Sequence, residues 1–415
     1  MRIHLWHGYL LAGTGSNVYT RQLAREWSRA GHDVTVFSQE AHPGRFDLGG
    51  ARALRADVGG LLPVFVLDRY EGYEVRLLQD CTRAELDAWV EANARAVREA
   101  GAAELLLVNH VLLGGAVGAA SGERYVVKAH GSELEYSLRG DRALAAWGAE
   151  VLAGAAATIV GSAHIRDVVE EVCGAVERIH EIPPGVDVEL WRPAPRAEAL
   201  ERLLAEAGRD PPNPGNADER RPDEGNAARL GAFLAGERPT VVYFGKLIEN
   251  KGVQVLLEAL AGLDARAVVV GFGDFRAELE ARAAGLDVLF TGPLEHRHLV
   301  HLLALADAAV VPSIFPEAFG MVAAEAAAAG CPPVVARHSG LAEVARGLEE
   351  AYPEPLRPLA SFPTGDADAL RERLGAILEL PAGDRETLRR AARAAAMERW
   401  SWAGVGRRIL ETIDY

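Results

Sequence analysis

Two glutamates separated by seven residues, Glu317 and Glu325, stand out in the segment PSIFPEAFGMVAAEAAAAGCPPVVA. Glu317 precedes a helix expected to begin about Phe319–Gly320, and Glu325 lies inside it among alanines. Gly320, Met321 and Val322 then present N–H groups that no helical carbonyl can take. A carboxylate held against a packed sheet needs hydrogen-bond donors, and a ribose diol supplies two. Glu317, outside the helix, is placed to take hydroxyl protons of a sugar. The plain alternative, a helix-end dipole residue and a solvated glutamate, fits the glycine and the alanine-only packing less well.

A second constellation is YFGKLIENKG, a strand, a loop and a helix opening near Gly252. Lys246 and Lys251 flank that helix start, so two ammonium groups and free N–H groups converge where a diphosphate could be neutralised without a metal ion. A third is His130 in KAHGSELEYS, at the C-terminal end of a parallel strand, the side from which such sheets bind ligands. A single histidine there is as readily structural as functional. The fourth is GYLLAGTGSNVYTRQL after the first strand, where Gly13 and Gly15 permit close backbone approach and a helix starting near Asn17 aims N–H groups at an anion. This string lacks the full dinucleotide fingerprint, although Glu40 after the next strand keeps a nicotinamide-dependent oxidoreductase open. Arg21, Arg25 and Arg29, four residues apart, read as a solvated helix face rather than an acceptor-phosphate patch.

The elements that must position these residues are short β-branched runs alternating with amphipathic helices, the pattern of a parallel sheet covered on both faces. One series runs from RIHLWHGY to RIHEIPPGVD and another from TVVYFGKL to PPVVAR. Two series imply an α/β chain of two doubly wound, Rossmann-like domains. The domains are expected at 1–190 and 191–399, with a helix at 400–415 packing back on the first. The polar stretch at about 209–225 reads as a mobile surface insertion.

Composition narrows the function classes. The 415 residues carry a net charge of −15, a poor match for nucleic acid or anionic lipid. Cys81, Cys173 and Cys331 are scattered and suggest neither disulfides nor a zinc site. No secretion signal and no integral membrane segment are apparent, so a cytoplasmic protein is expected.

The Glu-x7-Glu segment, together with GKLIENKG, VVGFGD, TGPLEHRHLVHLLALADAAVVPS and SGLAEV in that order, resembles glycosyltransferase family 4. The resemblance covers nearly the whole chain and is strongest over about 240–345. It implies a GT-B fold, two Rossmann-like domains facing a cleft, the donor held by the second and the acceptor by the first. It also implies retention of anomeric configuration, no metal and no cofactor beyond a nucleotide-sugar co-substrate, with UDP-sugars favoured.

Carried over by position, the resemblance implies that Lys246 and Lys251 grip the donor diphosphate and Glu325 the ribose. Glu317 and the backbone after Phe319 (Gly320, Met321, Val322) hold the transferred sugar. Gly15 and Ser16 close on the phosphates, His130 lies near the reacting bond, and Phe272 and Leu294 lie near the base. Lys246 departs from the arginine of many relatives, replacing a bidentate fork with a point charge. Expected partners are the donor and a small-molecule or glycan acceptor, with Arg52, Arg55, Arg69, Tyr70 and Tyr73 as candidates for recognising it. A nucleotide-sugar epimerase and a non-catalytic sugar-nucleotide-binding protein are the competing readings.

Overall fold

In a computed structural model, residues 1–12, 15–67, 70 and 72–412 are described. Gly13, Arg69 and the last three residues of the expected C-terminal helix lie outside them. The chain divides into two compact units, Met1–Gly185 with Trp402–Tyr415, and Val186–Ser401.

The first unit holds β1 (Arg2–Trp6), β2 (Asp33–Phe37), β3 (Arg52–Leu54), β4 (Leu61–Val64), β5 (Glu74–Leu77), β6 (Leu105–Asn109), β7 (Tyr125–Lys128), β8 (Ala157–Val160) and β9 (Ile179–Glu181). Seven form one sheet in the order β3-β2-β1-β6-β7-β8-β9, while β4 and β5 pair separately. The second unit holds β10 (Thr240–Phe244), β11 (Arg266–Val270), β12 (Val288–Phe290), β13 (Ala308–Val311), β14 (Pro333–Ala336) and β15 (Ser361–Phe362), in the order β12-β11-β10-β13-β14-β15. Every pairing in both sheets is parallel. Both sheets are doubly wound, as the alternating pattern implied. Strands such as LLLVN and TVVYF are buried along their whole length, which is why they read as unbroken apolar runs.

Strand order reverses beside β1 in the first sheet and beside β10 in the second. At such points the connections leave in opposite directions and open a crevice at the strand C-termini. GYLLAGTGSN follows β1 and GKLIENKG follows β10, so both loops singled out by sequence occupy these positions.

Three expectations need correction. The 209–225 stretch is tied down, not mobile. Asn213 Nδ2 donates to the Asp218 and Pro222 carbonyls, and the Asp218 N–H returns a bond to Asn213 Oδ1. Buried Asp223 takes both Arg276 terminal nitrogens at 2.9 and 2.6 Å, and its N–H donates to Thr291 O. Polar-to-backbone bonding does there what apolar burial could not. The face of Arg21, Arg25 and Arg29 is only partly solvated: Arg21 lies over the Phe46 ring, and the Gly49 backbone abuts that of Arg25. Glu40 is structural, accepting the N–H groups of Leu11 and His42.

Candidate functional site

Each unit carries a polar constellation at its strand C-termini. In the second unit the loop after β10 is clamped to the end of β13. Asn250 O accepts the Ile314 N–H at 3.0 Å and the Ser313 hydroxyl at 3.1 Å. Gly252, with φ +70°, approaches Pro312 so closely that a Cβ would fall 1.9 Å from its carbonyl oxygen. Only glycine satisfies both conditions. The clamp sets Lys251 against Glu317, and their side chains form an ion pair. Lys246 is exposed and has no side-chain partner among the described residues.

Glu317 is held through its backbone. Its N–H donates to Ser339 Oγ at 2.8 Å, and its carbonyl accepts the Gly340 N–H. His338 Nε2 lies 2.7 Å from the Ser313 carbonyl and Nδ1 3.1 Å from Ser339 Oγ. A carbonyl only accepts, so Nε2 carries the proton and Nδ1 takes the Ser339 hydroxyl. Sequence reasoning missed Ser313, His338 and Ser339. Their signal was position, immediately after β13 and β14.

The helix after Glu317 runs Met321–Ala328, one to two residues later than expected, with Gly320 at φ +124° before it. Phe319 is buried against Trp400. Met321 and Val322 open the helix half-exposed, where their N–H groups lack helical acceptors. Glu325 is half-buried, flanked by Ala323, Ala324, Ala326, Ala327 and Ala328, all fully buried. Burial pushes its carboxyl up to about 8. Beside the lysine loop, Phe272 O accepts the Leu247 N–H, and Gly271 and Gly273 lie directly on the Gly245 and Leu247 carbonyls. Phe272 is half-exposed there, whereas Leu294 sits in the core.

In the first unit, helix Gly15–Arg29 begins two residues before Asn17. Gly15 is exposed, and a Cβ added there would meet nothing within 4 Å. His130 lies behind this helix start, its ring 5.6 Å from that of Tyr19 and 4.7 Å from that of His110. It is surrounded by buried polar side chains that sequence reasoning did not single out. His130 Nε2 meets Asn109 Oδ1 at 2.8 Å, and His7 Nε2 meets Asn17 Oδ1 at 2.8 Å. Glu133, fully buried, accepts the His130 N–H at 2.6 Å and lies 3.2 Å from His110 Nδ1. Lys128 is buried over the Tyr19 ring, and burial lowers its ammonium to about 7. Burial likewise lowers His7 to about 3 and His130 well below the usual imidazole range. A histidine after β1 and an Asn-His pair at the end of β6, beside the His130 strand, were the sequence signals for this cluster. Tyr73 donates to Gln39 with Arg55 over its ring, lining a cavity of about 320 Å³ with Asp57 and Gly60.

Two family models match the chain. Glycosyl transferases group 1 matches residues 231–395, and Glycosyltransferase Family 4 matches residues 13–190. A D-inositol 3-phosphate glycosyltransferase of Xylanimonas cellulosilytica is 29% identical over 361 residues, 80% of this chain and 77% of the relative. A GDP-mannose-dependent alpha-(1-6)-phosphatidylinositol dimannoside mannosyltransferase of Mycobacterium tuberculosis is 44% identical over 110 residues, 25% of this chain and 29% of the relative. Among solved structures, Anabaena HepE in complex with UDP superposes with a TM-score of 0.68 at 19% identity, covering 100% of both chains. Sucrose-phosphate synthase from Thermosynechococcus elongatus gives 0.63 at 22% identity, covering 99% of this chain and 97% of that one. At these identities the structural likeness speaks for the fold, which is GT-B.

Proposed function

Because this chain belongs to glycosyltransferase family 4, we propose that it is a retaining, metal-independent hexosyltransferase that moves a sugar from a nucleoside-diphosphate donor to an acceptor hydroxyl. The single observation that carries the donor side is the clamp after β10. It places Lys251 against Glu317 and leaves Lys246 without a partner among the described residues.

In this reading Lys246 and Lys251 take the diphosphate, and the N–H groups of Gly320, Met321 and Val322 add partial positive charge. Glu317, released from Lys251 when phosphate arrives, accepts hydroxyl protons of the sugar. Glu325 takes the ribose diol and Phe272 and Leu294 border the base; the family resemblance assigns Gly15 and Ser16 to the phosphates and His130 to the reacting bond. The anomeric carbon–oxygen bond to phosphate breaks as the acceptor oxygen bonds the same face. The acceptor's proton passes to the departing phosphate oxygen, so no protein nucleophile is needed. Two bases stand forward, uridine from the family resemblance and guanosine from the name of the mycobacterial relative. The acceptor is a hydroxyl-bearing small molecule or glycan.

The test is thermal stabilisation by UDP-, GDP-, ADP- and dTDP-sugars in EDTA, with NAD as control. A ligand that binds only the folded state raises the melting temperature. A rise with one nucleotide-sugar, abolished in Lys246→Ala/Lys251→Ala, is expected. A rise with NAD alone, or none, overturns the reading.

A further inference from the structure

His130 sits in a hydrogen-bond chain whose direction is fixed at both ends by backbone carbonyls. Asn109, fully buried at the end of β6, places Nδ2 3.3 Å from the Trp6 carbonyl and 3.3 Å from Thr20 Oγ1. A carbonyl cannot donate, so the atom facing Trp6 O is the amide nitrogen. Asn109 Oδ1 is therefore the atom 2.8 Å from His130 Nε2, and that ring nitrogen must carry the proton. The far end agrees. Thr20 donates its hydroxyl to the Ser16 carbonyl at 2.8 Å and so accepts from Asn109. The chain His130 → Asn109 → Thr20 → Ser16 O thus joins the imidazole to the first turn of helix Gly15–Arg29.

The same device recurs nearby: His7 donates to Asn17 Oδ1, and Asn17 Nδ2 donates to the Ala12 carbonyl. Two histidine–asparagine pairs therefore hold Ala12 and Ser16, the two sides of the glycine loop.

We propose that Asn109 is a positioning residue that holds a proton on His130 Nε2 and ties the ring to the start of the first helix, within a buried cluster of His7, His110 and Lys128 that keeps the imidazole neutral, so that His130 does not carry a proton in the reaction. This rests on His130 serving the transfer, as above. The charged and titratable groups around the imidazole are His110, His7, Lys128, Glu133 and Tyr19. Burial together with His110, Lys128 and His7 disfavours the imidazolium. The Glu133 carboxyl accepts the His130 N–H through Oε1 and lies 3.2 Å from His110 Nδ1 through Oε2.

The test begins without donor, which separates it from the function itself. Long-range proton–nitrogen NMR of the full chain, with His130 identified by its loss in His130→Gln, should show the Nε2–H tautomer unchanged from about pH 5 to 8, the range in which ordinary imidazoles titrate. An Nδ1–H tautomer, or titration within that range, overturns the proposal. Asn109→Asp keeps the volume but removes the donor to Trp6 and Thr20 and supplies a carboxylate. It should bring His130 titration into that window. With the donor found in the thermal screen, its turnover should fall at least about tenfold, as mispositioned groups do, and become pH-dependent while donor KM stays within about twofold. Thr20→Val removes the acceptor of one Asn109 N–H and the link to Ser16 but leaves the Trp6 carbonyl to orient the amide, and should keep the tautomer while lowering turnover. Asn109→Asp with wild-type turnover and no new titration would show that Asn109 merely fills space.

Discussion

Glu325 is the residue whose environment makes the most quantitative demand. Its carboxyl is pushed from 4.5 up to about 8 by burial among alanines. The folded state thus binds a proton that the unfolded state releases between these values. The native state is favoured below pH about 4.5 and loses stability as pH rises through about 8, because the buried group must then ionise. Glu325→Gln should therefore melt at the same temperature as the parent at pH 4 and several degrees above it at pH 9. A parent-like melting temperature at pH 9 would refute the burial argument. Binding adds a second consequence. If a ribose diol donates to this carboxylate, it favours the ionised form, so donor binding near pH 7 should release a proton. Calorimetry in two buffers of different ionisation enthalpy measures that release, which should vanish in Glu325→Gln together with about tenfold in affinity.

At the scale of elements, two glycines identical in sequence terms do different work. Gly252 has φ +70° and no room for a Cβ beside Pro312 O, whereas Gly15 has open space around it. Gly252→Ala should lower the melting temperature by about 5 °C or more, by strain at positive φ and by parting the β10 loop from the β13 end. Donor-induced stabilisation should go with it. Gly15→Ala should leave the melting temperature unchanged, since an added Cβ meets nothing within 4 Å, and should lower turnover if the loop closes on the donor phosphates as proposed. Equal melting losses in both variants would contradict this distinction. The contrast also marks what could be read in sequence. The lysine loop, the Glu-x7-Glu helix and the doubly wound pattern were legible because each is a local string. The His130–Asn109–Thr20 chain was not, since its members come from the loop after β7, the end of β6 and the first helix, and meet only through sheet order. Nor were β3 to β5, of three or four residues each and mostly half-buried, whose alternation is too short to register. The 209–225 segment misled because its cohesion is polar, through Asn213 and Asp223, and composition registers only the apolar deficit.

At the scale of the whole chain, the last helix belongs to a unit that the sequence left more than two hundred residues earlier, since the second unit runs Val186–Ser401 before Trp402 rejoins the first. Trp402, Val405 and Ile409 are buried in a cluster with Tyr19, Leu23 and Trp27. Trp27 Nε1 donates to the Gly406 carbonyl at 3.2 Å, and the Trp402 ring meets that of Tyr19 edge-on at 5.4 Å. Tyr19 also lies over Lys128 and beside His130, so this helix covers the back of the polar cluster. Ending the chain at Ser401 would expose Tyr19, Leu23 and Trp27 and admit water to Lys128. Losing three fully buried large side chains from one cluster costs on the order of 5 kcal/mol, enough to unfold a marginal domain. The second unit keeps its core, because Trp400 and the Val186 N–H that donates to its carbonyl remain. Hydrogen exchange on the truncated chain should therefore show protection lost in β1, β6 and β7 while β10, β11 and β13 exchange as before. The donor screen separates the same two effects: nucleotide-sugar should still protect the second unit in the truncated chain, with turnover abolished. Uniform loss of protection would mean that the two units share one cooperative core, and unchanged protection that the helix merely lies on the surface.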